Sequence, residues 1–557
     1  MSQLGEKPKT AIVIGAGAGG VALAARLGKA GFAVTVIEKN SFTGGRCSLM
    51  FQDGHRFDQG PSLFLLPQLF HETFRDLDTT LADAGVDLLR CETNYNIWFH
   101  DGELFKHSSD LAAMKTQIER WEGKDGFERY LKWLREAHTH YEISVKDVLH
   151  RNFGKFLDLA RPGFVRHVVN LHPLESIWSR ASRYFWTERL RRVFTFAVMY
   201  MGMSPFDAPA TYSLLQYTEF AEGIWYPKGG FHQVVAALVR IGEKMGVKYR
   251  LNTPVSRVLT DGHKATGVEL ESGESLSADV VVVNADLTPT ITDYTKSLRK
   301  REASCSSISF YWCMDRKIPE LSVHNIFLAE EYRESFDAIF KRHSLPDQPS
   351  FYDRPLGGPE GKDTVIVLVP VGHLAESKGE SGLTNDPKHW DDIVARARAA
   401  VIEIVSARTG CAPLSDFITH ETVNTPLTWE DKFNLDKGAI LGLTHGIFNV
   451  LAFRRGPAPR AWRTPTSTHP GTGVPIVMAG AKITAEQILD DRGLQVPWAR
   501  GFDGILKPQS QSPGNRKLDN VRYGYHFGSE EVAILSVGLV LALIYFYFWP
   551  TLQPLLC

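Results

Sequence analysis

The sequence predicts an α/β protein: a doubly wound sheet that binds a dinucleotide, an inserted α+β domain, and a hydrophobic helix at the C-terminal end. Three stretches carry the prediction. Residues 11–60 hold AIVIGAGAGG, VTVIEKN and FTGGRCSLMFQDGHRFDQGPS in close succession; residues 248–286 alternate like a β-meander and end in Val280-Val281-Val282-Val283; and residues 532–549, VAILSVGLVLALIYFYFW, carry no charge.

Ala11-Ile12-Val13-Ile14 is apolar without interruption, as a buried parallel strand requires. Gly15-x-Gly17-x-x-Gly20 then turns the chain into the helical stretch VALAARLGKAG. In a Rossmann-like unit the first glycine permits the tight turn and the second lets the backbone approach a pyrophosphate. The third brings helix and strand close, so that phosphate charge meets the helix N-terminus. Val34–Ile37 forms the second strand. Glu38 ends it 23 residues after Gly15, near the spacing at which a carboxylate accepts hydrogen bonds from ribose hydroxyls and disfavours a 2′-phosphate.

Gly44-Gly45-Arg46 and the following Gly54-His55-Arg56-Phe57-Asp58-Gln59-Gly60 are not needed by a simple NAD domain. They resemble the extension found in the flavoprotein superfamily of amine oxidases, protoporphyrinogen oxidases and carotenoid desaturases, where the second glycine pair and the arginine reach the FAD phosphates. The resemblance implies a glutathione-reductase-type FAD-binding domain, FAD in preference to NAD, and Gly15, Gly17, Gly20, Glu38, Gly44, Gly45, Arg46 and Gly60 as binding residues. Further along, Gly229-Gly230 precedes the amphipathic HQVVAALVRIGEKMG, and Pro470-Gly471-Thr472-Gly473-Val474 feeds another helix. Such a loop can lay backbone N–H groups against a flavin ring or ribityl chain, so Gly229, Gly230, Gly471, Gly473 and Val474 join the candidates.

The predicted organisation is discontinuous. Residues 7–75, 223–289 and 441–500 make the FAD-binding domain, 76–222 and 290–440 the substrate domain, and 501–531 a polar linker to the hydrophobic segment 532–549. That segment of 18 residues spans about 27 Å as a helix at ~1.5 Å per residue, against roughly 30 Å of bilayer hydrocarbon. Tyr545, Tyr547 and Trp549 sit where an aromatic belt would. A membrane anchor is expected, with a terminal helix lying in the interface or packed on the protein as the alternative.

With 43 % apolar residues and a formal net charge of −1, the chain can bury a sizeable core and offers no field for nucleic acid. Cys47, Cys91, Cys305, Cys313, Cys411 and Cys557 show no CxxC spacing, and MSQLGEKPKT contains no apolar leader. These features suit reduced thiols in a cytosol-facing protein. His138 and His140 stand two residues apart, on different faces of a helix, so no metal site is expected. No catalytic residue is assigned. Trp121, Trp133 and Trp186 are expected in the core.

A longer resemblance runs from about residue 9 to 500. NYNIWF (94–99), ESIWSRASRYFWTERLRRVFTFAVMYMGMSPFDAPATYSLLQYTEFAEGIWYPKGGFH (175–232), ASCSSISFYW (303–312), NIFLAEEYRESFDAIF (325–340), KFNLDKGAILGL (432–443), NVLAFR (449–454) and STHPGTGVPIVMAGAKITAEQIL (467–489) are similar to the fungal phytoene desaturases. This implies successive FAD-dependent dehydrogenation of phytoene, through neurosporene to lycopene or 3,4-didehydrolycopene, with quinone or oxygen as electron acceptor. It also implies a membrane location, with a cytosolic pool of substrate excluded: a hydrocarbon of some 40 carbons at ~0.8 kcal/mol each is held in lipid by tens of kcal/mol. The catalytic body would face the cytosol from an endomembrane. A flavoprotein relic without activity and a retinol-saturase-like polyene oxidoreductase are the alternatives.

The chain departs from that family at 287–300, at DRPLGGPEGKD (353–363), and at RRGPAPRAWRTPT (454–466), where a strand of the type YFVGA is expected. Proline cannot donate to a ladder, so 454–466 is expected to be irregular and exposed. Arg161, Arg166, Arg180, Arg183, Arg189, Arg191 and Arg192, interleaved with Trp178, Tyr184, Phe185, Trp186, Phe194 and Phe196, suit either a monotopic membrane surface or core aromatics with solvated arginines.

Overall fold

A computed structural model describes residues 9–151, 167, 170–262, 264–286, 302–375, 382–445, 462–463 and 468–500. The linker 501–531, the hydrophobic segment 532–549, the departing stretch 287–300, and Arg161 and Arg166 lie outside the described residues. Among the described residues no helix is long and apolar enough to cross a membrane.

Thr10–Ile14 runs parallel to Ala33–Ile37 on one side and to Val280–Val283 on the other, with Ile14 opposite both Ile37 and Val283. Lys248–Arg250 and Trp462–Arg463 complete a five-stranded parallel sheet of the described residues, one at each edge. Side chains alternate across it, as strand geometry demands. Ala11, Val13, Val280 and Val282 face a core shared with the helices Ala18–Lys29, His232–Lys244 and Val474–Asp491. Ile12, Ile14, Val281 and Val283 face the small antiparallel sheet of Val255–Thr260, Ala265–Leu270 and Ser275–Ser277. A strand covered on both faces has no polar side, which is why these stretches read as unbroken apolar runs.

Trp462–Arg463 corrects the expectation of an irregular, exposed 454–466 at these two residues, 454–461 and 464–466 lying outside the described residues. Between Pro459 and Pro465 the chain has five residues with N–H groups, and two of them pair with Val282 and Val283. An edge strand needs donors for one neighbour only. Trp462 is half-buried against the helix-side core, so it is not a solvated loop residue.

A second sheet has the strand order Ile418–Asn424, Ser306–Met314, Asp363–Val371, Phe351–Gly357, Asn325–Phe327, Tyr95–Trp98, Leu104–His107. All its pairings are antiparallel except that of Asn325–Phe327 with Tyr95–Trp98. The departing stretch at 353 continues the strand Phe351–Gly357 in register with Asp363–Val371. The helix Trp390–Thr409 covers one face of this sheet, and an aromatic helical layer drawn mostly from residues 111–224 packs around Tyr95, Ile97 and Phe105.

Candidate functional site

The carboxyl ends of Thr10–Ile14, Ala33–Ile37 and Val280–Val283 open onto a cavity of about 590 Å³. In open parallel sheets this is where ligands sit. Gly15 adopts φ +96°, and its N–H donates to the Ile37 carbonyl at 2.7 Å, tying the turn to the second strand. Gly44, at φ +101°, donates its N–H to Ala16 O at 2.8 Å and bridges to Gly17. The second glycine pair therefore lies along the first turn, and Gly15, Gly17, Gly44 and Gly45 all line the cavity.

Glu38 lines it beside them. One carboxylate oxygen accepts from Ala16 N–H at 2.8 Å, and the other from the backbone and side-chain amides of Asn40 at 3.0 and 3.1 Å. Arg46 and Gly60 form the adjoining wall; burial lowers the Arg46 pKa from its usual value while the charge of Asp286 opposes that. Thr472, Gly473 and Val474 also line the cavity, and Val474 begins an 18-residue helix. The N-termini of that helix and of Ala18–Lys29 thus flank the same space, bringing two positive dipole ends and their unused N–H groups to it.

Four candidates stand behind the wall. A β-carbon on Gly20 would overlap the carbonyl oxygen of Gly15 and press on the Asn284 amide, so Gly20 sets the helix–strand approach. Gly471 packs against the ring of His445, whose Nε2 accepts from Thr472 N–H at 3.0 Å and so locates the loop. Gly229 and Gly230 make a turn under Asp58. There Asp58 accepts from Phe231 N–H at 2.8 Å and from the Tyr226 hydroxyl at 2.7 Å, with Arg354 Nη1 at 3.4 Å.

Sequence reasoning missed Asn284, Asp58, Tyr226, Arg354 and His445. Asn284 directly follows the valine run and donates to Gly15 O at 3.2 Å, so its position was a usable signal. The others come from distant segments.

Beyond the cradle the cavity becomes apolar, lined by Leu63, Phe196, Met199, Ile326, Leu328 and Phe336 among others, with Tyr200 and Tyr352 as polar interruptions. Cys47 and Cys305 also line it. Burial pushes both thiols upward, so they stay protonated. One end therefore offers N–H donors, helix dipoles and a fixed carboxylate to a phosphate-bearing dinucleotide, and the other offers hydrocarbon. The glycine cradle, with no side chain over Gly15, Gly17, Gly44 or Gly45, fits a flavin dinucleotide laid along it.

Glu136, His140 and His172 bring ligand-type atoms within 4.8 Å of one another, a grouping the sequence did not suggest. Glu136 is already bound bidentately by Arg180, at 2.8 and 2.5 Å, and accepts from the Tyr184 hydroxyl. His140 uses one ring nitrogen on Ser213 Oγ and the other on Asn170 O. A resident cation would have to displace an arginine. Of the neighbouring aromatics, Phe185, Phe194 and Phe196 are core, as is Trp133. Trp186 is not: it is 63 % exposed, with the Arg129 guanidinium 3.6 Å over its ring.

Residues 18–306 match the family of flavin-containing amine oxidoreductases. The chain is similar to the phytoene desaturase of Neurospora crassa, at 60 % identity over 92 % of this chain and 94 % of that one. It is also similar to the phytoene desaturase of Fusarium fujikuroi, at 58 % identity over 88 % and 92 %. An oxidoreductase structure from Methanosarcina mazei superposes with a TM-score of 0.59 at 14 % identity, covering 86 % of this chain and 100 % of that one, a likeness of fold alone. With identity at this level across the cradle, the apolar cavity and both sheets, this chain belongs to the phytoene desaturases of the flavin-containing amine oxidoreductase family.

Proposed function

We propose that this chain desaturates phytoene in successive steps, through neurosporene to lycopene or 3,4-didehydrolycopene, on substrate drawn from a membrane and with quinone or oxygen as final electron acceptor. FAD is its cofactor and carotenoid desaturation its activity. The observation that carries the reading is the continuity of one cavity from the glycine cradle to an apolar wall. A hydrocarbon can be bound there by burial alone, at about 25 cal/mol per Å² of apolar surface, with its chain leading to the cradle.

Gly15, Gly17, Gly44 and Gly45 would leave room for the pyrophosphate, Glu38 would accept from the ribose hydroxyls, and Arg46 would balance phosphate charge. Gly473 and Val474 would present backbone N–H groups. Bound FAD supplies an acceptor for a hydride. The protein's own part is to orient the polyene, exclude water through the Phe196, Met199 and Phe336 wall, and take up the proton that leaves with each hydride. Expression in a phytoene-accumulating host, followed by pigment chromatography, tests this. Coloured carotenes of increasing conjugation are expected; unchanged phytoene beside a flavin-loaded protein would overturn it, and a product from a different polyene would favour the retinol-saturase-like reading.

A further inference from the structure

Two tyrosines, Tyr200 and Tyr352, interrupt the apolar end of the cavity. A hydrocarbon ligand has no use for a hydroxyl as a binding partner, so these groups call for another explanation. The Tyr352 hydroxyl lies 2.5 Å from Nδ1 of His324, and the two rings lie nearly parallel, 28° apart, with centroids at 5.8 Å. His324 is fully buried. Its Nε2 faces Cys91 Sγ at 3.6 Å, and Cys91 is half-buried. A line of proton-carrying groups thus runs from the cavity wall through Tyr352 and His324 to Cys91. It is assembled from Tyr352, in the strand Phe351–Gly357, His324, just before Asn325–Phe327, and Cys91, just after Leu88–Arg90, a strand that pairs with Trp225–Pro227 outside the second sheet.

Resting on the desaturase reading above, we propose that Tyr352, backed by His324, accepts the proton released when a C–H pair is removed from the hydrocarbon in this cavity. One C–H bond gives up its electron pair as hydride to the flavin. On the adjacent carbon the second C–H bond breaks, its electrons forming the new π bond. Its proton passes to the Tyr352 oxygen as the hydroxyl proton moves to His324 Nδ1. Tyr352 ends neutral and His324 positively charged, and loss of one proton to solvent, with the remaining proton on Nε2 beside Cys91, regenerates the neutral ring whose Nδ1 can accept again.

The neighbouring groups agree with this assignment. Burial, together with the charge of Arg354, holds the His324 ring far below the ordinary histidine range, so its resting form is neutral and able to accept. Loss of a hydride leaves the adjacent C–H strongly acidic, and a weak base suffices. Glu219, which accepts from the nearby Tyr95 hydroxyl at 3.1 Å, is pushed up to about 8 by burial. It does not line the cavity, whereas Tyr352 does. Arg354, Cys91, Tyr95 and Tyr352 are the charged or titratable groups facing His324.

The test uses the flavin-loaded enzyme in phytoene-containing liposomes, with anaerobic bleaching of the flavin followed in a single turnover. Tyr352→Phe should keep its flavin content and bleach about 10²- to 10³-fold more slowly, the range that general base catalysis contributes. His324→Gln keeps a hydrogen-bonding partner for the hydroxyl without an equivalent base, and should slow bleaching independently of any packing effect at Tyr352. Bleaching at the wild-type rate by both loaded variants would overturn the proposal. Failure of the wild-type enzyme to bleach at all would overturn the desaturase reading and this one with it. A readout free of turnover is the ¹⁵N-histidine NMR spectrum of the same holoenzyme, wild type minus His324→Gln. A neutral ring with Nδ1 unprotonated is expected at pH 7, and a protonated Nδ1 would exclude the relay as written.

Discussion

The Ala16 N–H donates to the Glu38 carboxylate at 2.8 Å, so the acid that closes the second strand also fixes the glycine turn that follows the first. A charge-assisted hydrogen bond of this kind contributes about 1.5–3 kcal/mol. Glu38→Ala removes it together with the two Asn40 contacts. Flavin affinity should fall by roughly 10- to 150-fold, since 1.4 kcal/mol is a factor of ten. Fluorescence titration of the stripped protein with FAD measures this, and an unchanged Kd would mean that the turn holds its shape without the acid.

Gly17 and Gly20 should separate two roles within one motif. Gly17 has φ −66°, a conformation open to any residue, and its added β-carbon would meet only the Asn284 amide, at 3.2 Å. Gly17→Val should therefore fold but place a side chain in the phosphate path, giving near-normal thermal unfolding and little bound flavin. Gly20→Ala instead drives a methyl group into the Gly15 carbonyl. It should lower Tm by about 1–3 °C even without flavin, as a backbone overlap in the core costs about 1–3 kcal/mol.

Lys482, buried in the helix Val474–Asp491, reaches Glu72 Oε1 at 2.7 Å and Asp76 Oδ1 at 3.2 Å. Arg26 holds the other Asp76 oxygen and His150 the other Glu72 oxygen. Lys482→Met strands buried carboxylates and should cost about 3–5 kcal/mol. Burial alone would raise the Glu72 carboxyl, but the hydrogen bond and charge of His150 and the charge of Lys482 outweigh it and bring it from 4.5 to about 2. A depressed carboxyl stabilises the fold above its unfolded value and loses that contribution as pH falls through the folded one. Wild-type stability should thus decline by up to roughly 3 kcal/mol between pH 4.5 and 2, and Lys482→Met should flatten that decline. A parallel loss in both proteins would place the acid sensitivity elsewhere.

The parts legible in the sequence were those whose physics is local. The run Ala11–Ile14, its glycine turn and Val280–Val283 announce strands covered on both faces, because nothing polar interrupts them, and Glu38 follows from spacing along one βαβ unit. Spacing could not distinguish Gly473, at the cavity wall, from Gly471, which packs on His445. The choice depends on a histidine at residue 445 brought up by the tertiary fold. The Tyr352–His324–Cys91 line was invisible for the same reason, since its members come from three separate segments and no interval in the chain records their meeting. Trp186, expected in the core, lies at the surface with Arg129 stacked on it, a contact that no sequence interval records.

Membrane attachment should depend on the C-terminal hydrophobic stretch. Val532–Trp549 has no charge over 18 residues, and each buried methylene adds about 0.8 kcal/mol of lipid affinity. Deleting residues 528–557 should leave a flavin-binding body released by carbonate or high salt, while the full chain stays with the membrane fraction. Equal partition of both forms would remove the stretch from its role as an anchor.

The edge strand Trp462–Arg463 is where this chain should gain most from repair. Among the described residues it pairs with Val282 and Val283, whereas Thr10–Ile14 pairs along five residues with Ala33–Ile37. Its end leads within five residues to Thr468 and the loop that brings Thr472, Gly473 and Val474 to the cavity. A short strand flanked by Pro459 and Pro465 fixes that loop through few ladder bonds, so the cost should fall on cofactor affinity before global stability. Replacing residues 457–466 with a proline-free, β-branched run should lengthen the pairing along Val280–Val283, raise flavin occupancy on purification and increase pigment yield in a phytoene-making host. Trp462→Gly, which removes the side chain packed on the helix-side core, should act in the opposite direction. Equal flavin content and pigment in all three proteins would mean that His445, through Thr472, locates the loop without help from the strand.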